Sequence, residues 1–346
     1  MKAVESNFLF FLIRRVVNAF ITLILLILIV FVLIHVILPT PQAMAKVYIG
    51  GAHYTTAALN AVIARYGLNQ PLYVQFMSYV YNALTGNFGM DSLYRVPEMQ
   101  LLDKFIPITL EFVLIATVLQ VFLGVLTGGL AAMWRGGVPD WVIKALYLVA
   151  WAAPVFLLAT LMQFVFAYDL KVLPALNLAN PTLTPPKAIT GYPLIDAALS
   201  GDWPYFDSVL RHMVLPVFSI AIAGFGLTTR MMRSSSVEVF DKDYVKLAYM
   251  KGMSNRRVLF GTVFRNAMIP IITLTAIQFG FAVAGAVVIE DVFLYKGMGF
   301  FLYQSVTNLD YVAILSTTII IGISVIVANF VADLLYAVVD PRVRLE

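Results

Sequence analysis

The chain has 346 residues, of which 61% are hydrophobic and 12% charged, with a formal net charge of +4 and a mean hydropathy of +0.89. Soluble domains hold roughly half apolar residues, so this composition excludes a water-soluble fold and places the chain in a bilayer. The absence of cysteine excludes disulfides, iron–sulfur clusters and thiolate zinc sites.

A span needs about 20 mostly apolar residues to cross a ~30 Å hydrocarbon core. The first charge-free stretch of that length, Val16 to Leu38, follows Arg14 and Arg15. Ala43-Met44-Ala45 resembles a signal cleavage site, but the run exceeds the roughly 7 to 15 residues of a signal-peptide core, so it reads as a span. Next come an outer segment, the stretch Phe112 to Met133 with a GxxxG at Gly124 and Gly128 that predicts close helix packing, and the stretch Ala145 to Tyr168. Pro174, Pro181, Pro185, Pro186, Pro193 and Pro204 then predict an ordered irregular loop. The stretch His212 to Thr229 is the shortest and contains Pro216. Asn266 to Ile289 and Tyr311 to Ala332 complete six stretches. The fold class expected is an all-α integral membrane protein with six transmembrane helices.

Charge sets the expected orientation. With the amino terminus inside, the inner segments hold fifteen of the 23 Lys and Arg residues, which by the positive-inside rule puts both termini in the cytoplasm. The layout is then residues 1–38 as a cytoplasmic segment and first span, 39–104 as an extracytoplasmic segment, and 105–346 as a five-helix core. That core carries an outer loop at 169–211 and an inner loop at 230–268.

Several chemistries are missing. No GxxxxGK[ST] occurs, so no phosphate-cradling loop is available. His35, His53 and His212 are scattered and read as packing or interfacial residues, and no HExxH or GxSxG is present. No metal site or catalytic residue is assigned. Glu290 and Asp291 are neighbours that point to different faces of a helix, so spacing does not make them an acid/base pair. None of the six stretches carries an ionisable group at mid-depth, which argues against an ion-driven carrier. Their polar residues, Gln163, Gln278 and Asn329 foremost, with Gln120, Thr117, Thr275 and Ser324 among the others, either line a path for a polar solute or bond between helices.

The inner loop holds the most structured signal, DYVKLAYMKGMSNRRVLFGTVFRNAMIP, Asp243 to Pro270. Tyr244, Leu247 and Ala248 share a helical face beside Lys242, Asp243 and Lys246, predicting a short amphipathic helix over Asp241 to Lys251. Gly252 fits the left-handed residue after a helix, Ser254 the N-cap of a second helix running to Asn266, and Pro270 the first turn of the next span. Arg256 and Arg257 fall in a helix's first turn, where the macrodipole disfavours them. Anionic lipid or an acidic partner surface would account for their presence.

Asp243-Tyr244-Val245, Ala248, Lys251-Gly252, Arg256-Arg257-Val258, Arg265-Asn266-Ala267 and Ile269-Pro270 resemble the cytoplasmic signature loop of permease subunits in binding-protein-dependent ABC importers, first-subunit type of the dipeptide/oligopeptide branch. The likeness runs along the chain through Phe11-Leu12-Ile13-Arg14-Arg15, Gly67-Leu68-Asn69-Gln70-Pro71-Leu72, Gly86-Asn87-Phe88-Gly89, Ile289-Glu290-Asp291-Val292-Phe293, Gly297-Met298-Gly299, Asp333-Leu334-Leu335-Tyr336 and Asp340-Pro341-Arg342. Two departures stand out. Lys246-Leu247-Ala248 replaces the superfamily's Glu-Ala-Ala, and the Gly252 to Pro270 gap is longer than usual.

The resemblance implies a type I importer permease fold and a non-catalytic, pore-forming subunit for oligopeptides or a related solute such as an oligosaccharide. It implies a second permease, two ATPases that bind the ATP and Mg, a solute-binding protein outside, lipid around the chain and no nucleic acid. Tyr244, Lys246, Leu247, Ala248, Lys251, Gly252, Arg256 and Arg257 are the coupling residues it points to, with small Ala248 expected to let a partner approach closely. The competing classes are a secondary carrier or channel and a membrane scaffold or intramembrane enzyme.

Overall fold

The computed structural model describes the backbone at 2–49 and 54–339 and the side chains at 13–49 and 54–331. His53, the side chains of Lys2, Phe11, Leu12 and Asp333 to Tyr336, and Asp340-Pro341-Arg342 with Arg344 lie outside the described residues. The chain folds as helices α1 (Lys2–Ile37), α2 (Pro41–Ile49), α3 (Thr56–Tyr66), α4 (Leu72–Leu84), α5 (Glu98–Met133), α6 (Val138–Ala152), α7 (Val155–Met162), α8 (Pro193–Leu199), α9 (Trp203–Phe240), α10 (Asp243–Met250), α11 (Asn255–Val258), α12 (Phe264–Ala267), α13 (Ile269–Val292), α14 (Met298–Thr307) and α15 (Tyr311–Val339). π-helical turns at Gln163–Asp169 and Leu259–Val263 continue α7 and α11. Prolines open many of these helices, where a missing N–H costs nothing, as Pro41, Pro193 and Pro270 illustrate.

Five helices among the described residues are long and apolar enough to cross a membrane: α1, α5, α9, α13 and α15. The expected third span departs from a straight rod. The charge-free run Ala145 to Tyr168 divides into α6 and α7, bent by 102°, so it makes a sixth crossing only as a broken span. The cause is Pro154, which lacks an N–H and crowds the preceding turn. Ala153 is accordingly extended at φ −79°, ψ 129°. Pro216, by contrast, is absorbed inside α9.

Two helices outrun their hydrophobic stretches. The 38 residues of α9 extend about 57 Å at 1.5 Å each, so residues expected in the outer and inner loops, Trp203 to Arg211 and Arg230 to Phe240, are helical. Likewise α5 starts at Glu98, within the segment expected outside. That segment also folds α2, α3 and α4, with a small apolar cluster of Met44, Ala45, Leu59, Ile63 and Leu68.

The main core packs α5, α9 and α13 around Phe112, Met213, Leu215, Ile289 and Tyr295. Glycine sets the α5–α9 distance as the GxxxG predicts. A Cβ on Gly124 would strike the Thr228 side chain, and one on Gly128 would stand 2.6 Å from Thr229 O. A buried ion pair ties α6 to α9. Asp140 of α6, fully buried, accepts from Arg233 Nε at 2.7 Å and Nη2 at 2.8 Å and pairs with Lys144 at 3.0 Å. Two residues counted for orientation, Arg233 and Lys144, are therefore also structural.

Candidate functional site: the inner hairpin, the outer clasps and the membrane groove

Helix α10 forms close to where the sequence places it. Asp243 sits in its first turn, where the helix dipole favours a carboxylate, and accepts from Lys246 Nζ at 2.9 Å. That hydrogen bond holds the exposed Asp243 carboxyl below its usual range and the Lys246 ammonium above. The helix ends in a Schellman motif. Gly252 lies at φ +75°, its N–H donates to Tyr249 O at 2.9 Å and Met253 N–H donates to Ala248 O at 3.2 Å, and left-handed backbone of this kind favours glycine. Ser254 occupies the N-cap position of α11 in extended backbone, but its side chain makes no cap bond.

The buried face differs from the one expected. Val245 and Ala248 point inward and pack with Met232, Val239, Val258, Leu259 and Val263, while Tyr244 and Leu247 are about half exposed and Met250 is 83% exposed. The chain's own core closes over Ala248, and Tyr244, Leu247 and Met250 are the side chains left at the surface. Lys246, Lys251, Gly252, Arg256 and Arg257 are all exposed. The hairpin thus hides an apolar plug and presents aromatic, aliphatic and basic side chains.

The three path residues predicted from sequence do not come together. Gln163 donates to Ala175 O at 2.8 Å and Val292 O at 3.3 Å, so it ties the π turn to the segment that follows it and to the end of α13. Asn329 is exposed on α15. Gln278 alone lines a groove inside the helix bundle, held by donation to Gly224 O at 2.9 Å and acceptance from Thr228 Oγ1 at 2.8 Å. Hydroxyls of Thr117, Thr275 and Ser324 bond carbonyls one turn back in their own helices. His35 Nδ1 and His212 Nδ1 do the same to Phe31 O and Ser208 O, consistent with packing roles.

Sequence reasoning missed a set of buried carboxylates at the end of the bundle away from the α10–α11 hairpin. Glu290, fully buried, accepts from Phe300 N–H at 2.7 Å and from Thr109 Oγ1 at 2.5 Å, and Thr109 in turn accepts from Met298 N–H at 2.7 Å. Gly297 fits because any Cβ would stand 2.5 Å from both Glu290 Oε1 and Thr109 Oγ1. Glu111 accepts from Leu194 N–H at 3.0 Å at the start of α8. Asp196 is buried, which alone would raise its pKa, but donors from Thr190 at 2.7 Å and Gly191 at 3.0 Å outweigh burial and hold the carboxyl below its usual range. Asp310 clasps the loop before α5 through Ser92 N–H at 3.0 Å and the Ser92 hydroxyl. The available signal was a Glu-Asp pair followed six and eight residues on by Gly297 and Gly299. No group of three or more potential ligands among the described residues stands close enough to hold a metal ion.

The description "binding-protein-dependent transport system inner membrane component" matches residues 120–345, about two thirds of the chain, and its N-terminal companion matches 8–93. The chain belongs to this family of inner membrane components. It is therefore the multi-pass permease component of a binding-protein-dependent ABC importer. This permease is 31% identical over 315 residues to the probable D,D-dipeptide transport system permease protein DdpB of Escherichia coli K12, covering 91% of this chain and 92% of that one. It is 33% identical over 280 residues to the di/tripeptide transport system permease protein DppB of Pseudomonas aeruginosa, covering 81% and 83%. In fold, the permease is similar to a chain of the MetNI methionine ABC transporter in an inward-facing conformation, with a TM-score of 0.53 at 14% identity over 70% of this chain and 97% of that one.

Proposed function

We propose that this permease is one of two paired membrane subunits that carry peptides, delivered by an extracytoplasmic binding protein, into the cytoplasm at the expense of ATP hydrolysed on two partner subunits. The chain crosses the membrane six times in this reading, counting α6 and α7 as one broken span, with both termini inside. Residues 39–104 and 169–211 face outward. The observation that carries the reading is the Schellman-capped hairpin of α10 and α11, whose exposed Tyr244, Leu247, Lys251, Arg256 and Arg257 give a partner a contact surface on a chain that has no phosphate loop. Peptide as cargo is supported by the names of the relatives, which describe dipeptide and di/tripeptide permeases; oligosaccharide is the related class it competes with.

Reconstitution tests this directly. Purified alone in vesicles, the chain should neither hydrolyse ATP nor concentrate peptide, and both activities should appear when the second permease, the ATPases and the binding protein are added. Peptide uptake by the single chain under a proton or sodium gradient would establish a secondary carrier instead. Orientation is read by single cysteines on this cysteine-free chain. An impermeant thiol reagent applied to intact cells should label Asn60→Cys and Pro185→Cys and spare Ser254→Cys; labelling of the last would invert the topology.

A further inference from the structure

We infer that α4 lies in the rim of the bilayer, across the ends of α1 and α15, with its stripe of Tyr73, Met77, Tyr81 and Leu84 set among phospholipid acyl chains. The inference goes beyond the transport reading and needs only that α1 crosses the membrane. Helix α4 has 13 residues, LYVQFMSYVYNAL, inside a stretch from Tyr66 to Met90 that contains no Asp, Glu, Lys or Arg. At 1.5 Å per residue it measures about 20 Å, too short to cross a ~30 Å hydrocarbon core.

The polarity of this helix is inverted. Its amides turn toward the chain: Gln75 Nε2 donates to Gln70 O at 2.7 Å and to Leu68 O at 3.1 Å, its Oε1 stands 3.2 Å from His35 Nε2, and Gln75, Ser78 and Asn82 line a cavity of about 70 Å³ between α4, α1 and α15. The Thr85 hydroxyl, just past the helix, donates to Tyr81 O at 2.9 Å. The apolar side chains turn away, Tyr73 71%, Met77 66%, Tyr81 68% and Leu84 52% exposed, and their spacing puts them on one face. A helix resting on a core in water carries the opposite arrangement, and a contiguous exposed apolar face marks contact with membrane or protein.

Contacts along α4 set its depth. Gln75 meets His35, the Phe76 and Tyr79 rings stand 5.4 and 6.0 Å from the Phe31 ring, and the cavity that Tyr79 and Asn82 help to close is also lined by Val312 and Leu315 of α15. His35 and Phe31 precede Ile37, the last residue of α1, by two and six positions (37 − 35 and 37 − 31), and Val312 and Leu315 follow Tyr311, the first of α15, by one and four (312 − 311 and 315 − 311). At 1.5 Å per residue the contacts lie about 2 to 9 Å below the helix ends, the level at which interfacial helices bury their apolar face, ~5–10 Å into the boundary of headgroups and chains. Val32, Leu33 and Val36 of α1 are exposed at the same level.

The chemistry of the stripe selects lipid over protein. Tyrosine is the ring that membrane interfaces favour, with an apolar body and a hydroxyl that reaches the headgroups, and Tyr73 and Tyr81 supply two. Protein interfaces join an apolar centre to a polar rim with many hydrogen bonds, whereas two phenols are the only polar groups among the four side chains of the stripe. Acyl chains need no directional partner. Residues 72–84 are then embedded in the membrane, although they belong to the 39–104 segment expected outside it.

The test uses the assembled transporter in phospholipid nanodiscs, where both membrane faces meet solvent and the outcome is independent of orientation. Met77→Cys and Tyr81→Cys each give this cysteine-free chain one thiol at an exposed position, and Pro185→Cys, exposed in a loop, is the control. A charged, water-soluble methanethiosulfonate, followed by the mass of this chain, should modify Pro185→Cys about tenfold faster than either stripe position, because a thiol in apolar surroundings forms little of the reactive thiolate. Met77→p-benzoylphenylalanine, irradiated in the same discs with the binding protein present, should yield a phospholipid adduct of this chain. Stripe thiols that react as fast as Pro185→Cys would put α4 in water and overturn the inference. A benzophenone crosslink to the second permease or to the binding protein in place of phospholipid would make the stripe a protein interface and overturn it as well.

Discussion

The two ends of this permease hold their loops by different physics. At one end, Glu290, Glu111, Asp196 and Asp310 accept backbone N–H groups of the segments they secure, so each segment is located by directional bonds of fixed length. At the other end, Asp243, Lys246, Lys251, Arg256 and Arg257 are exposed, and the hairpin is held by Val245, Ala248, Val258 and Leu259 and one glycine cap. Apolar contact is non-directional, and it leaves the charged groups at the surface, Asp243 and Lys246 paired with each other. Buried carboxylates therefore build a frame on one side, while an apolar plug builds a presenting surface on the other.

The largest expected effect breaks the outer frame. Replacing Glu290 by Leu orphans the Phe300 N–H and the Thr109 hydroxyl, at about 1–3 kcal/mol each, so the thermal midpoint of the purified complex should drop and the 293–300 turn should become protease-sensitive while the inner hairpin stays protected. Gly297→Ala should act in the same direction, because its Cβ would enter the same bonds.

Next is Asp140→Ala, which leaves Arg233 without its buried partner. Breaking such pairs costs about 3–5 kcal/mol, and the low end applies because the Arg233 side chain keeps 22% exposure. The double variant Asp140→Leu with Arg233→Leu should recover part of the loss in a denaturation series, and no recovery would remove the pair as the lock between α6 and α9.

On the inner side, Gly252→Val should cost only about 1–2 kcal/mol through its left-handed backbone, since its Cβ would meet no atom within 4 Å. The outer loops should remain intact, ATP turnover should lose its response to solute, and Gly261→Ala, also in open space, should change neither. Ala248→Trp should overpack the hairpin's own core, at about 1–3 kcal/mol, and so loosen the hairpin itself in a proteolysis assay.

The smallest effect is a pH step. The folded Asp196 carboxyl titrates below its unfolded value, so its contribution is fully present above the unfolded carboxylate pKa of about 3.9 and fades as pH falls through the folded one. Proteolysis of the 170–202 loop should be flat from about pH 8 to 5 and rise below about 4, and Asp196→Asn should remove the step.

The spans and the hairpin were legible because their causes are local. Hydropathy over about 20 residues, Gly252 after an amphipathic turn and Pro270 opening a helix all act on neighbours in sequence. Pro154 was also in view, inside a run read as straight, and its consequence is the 102° bend. The face of α10 was misjudged because Tyr244 and Leu247 are apolar yet exposed, while Val245, next to them, is buried. Periodicity identifies an apolar stripe but not which half of it the core covers.

Residue types and their order alone determined the membrane setting, the all-helical class, the apolar runs contained in α1, α5, α13 and α15, and the absence of a phosphate loop. Only the tertiary structure decided which carboxylates are buried, that Asp140 reaches Arg233 across 93 residues, that Thr109 joins Glu290 across 181, and that Gln120 is enclosed against Gly224 while Asn329 is exposed. The physical reason is the range of the forces involved. Partition into lipid sums over a single segment, whereas a hydrogen bond needs two groups within about 3 Å, and that meeting depends on how the helices cross.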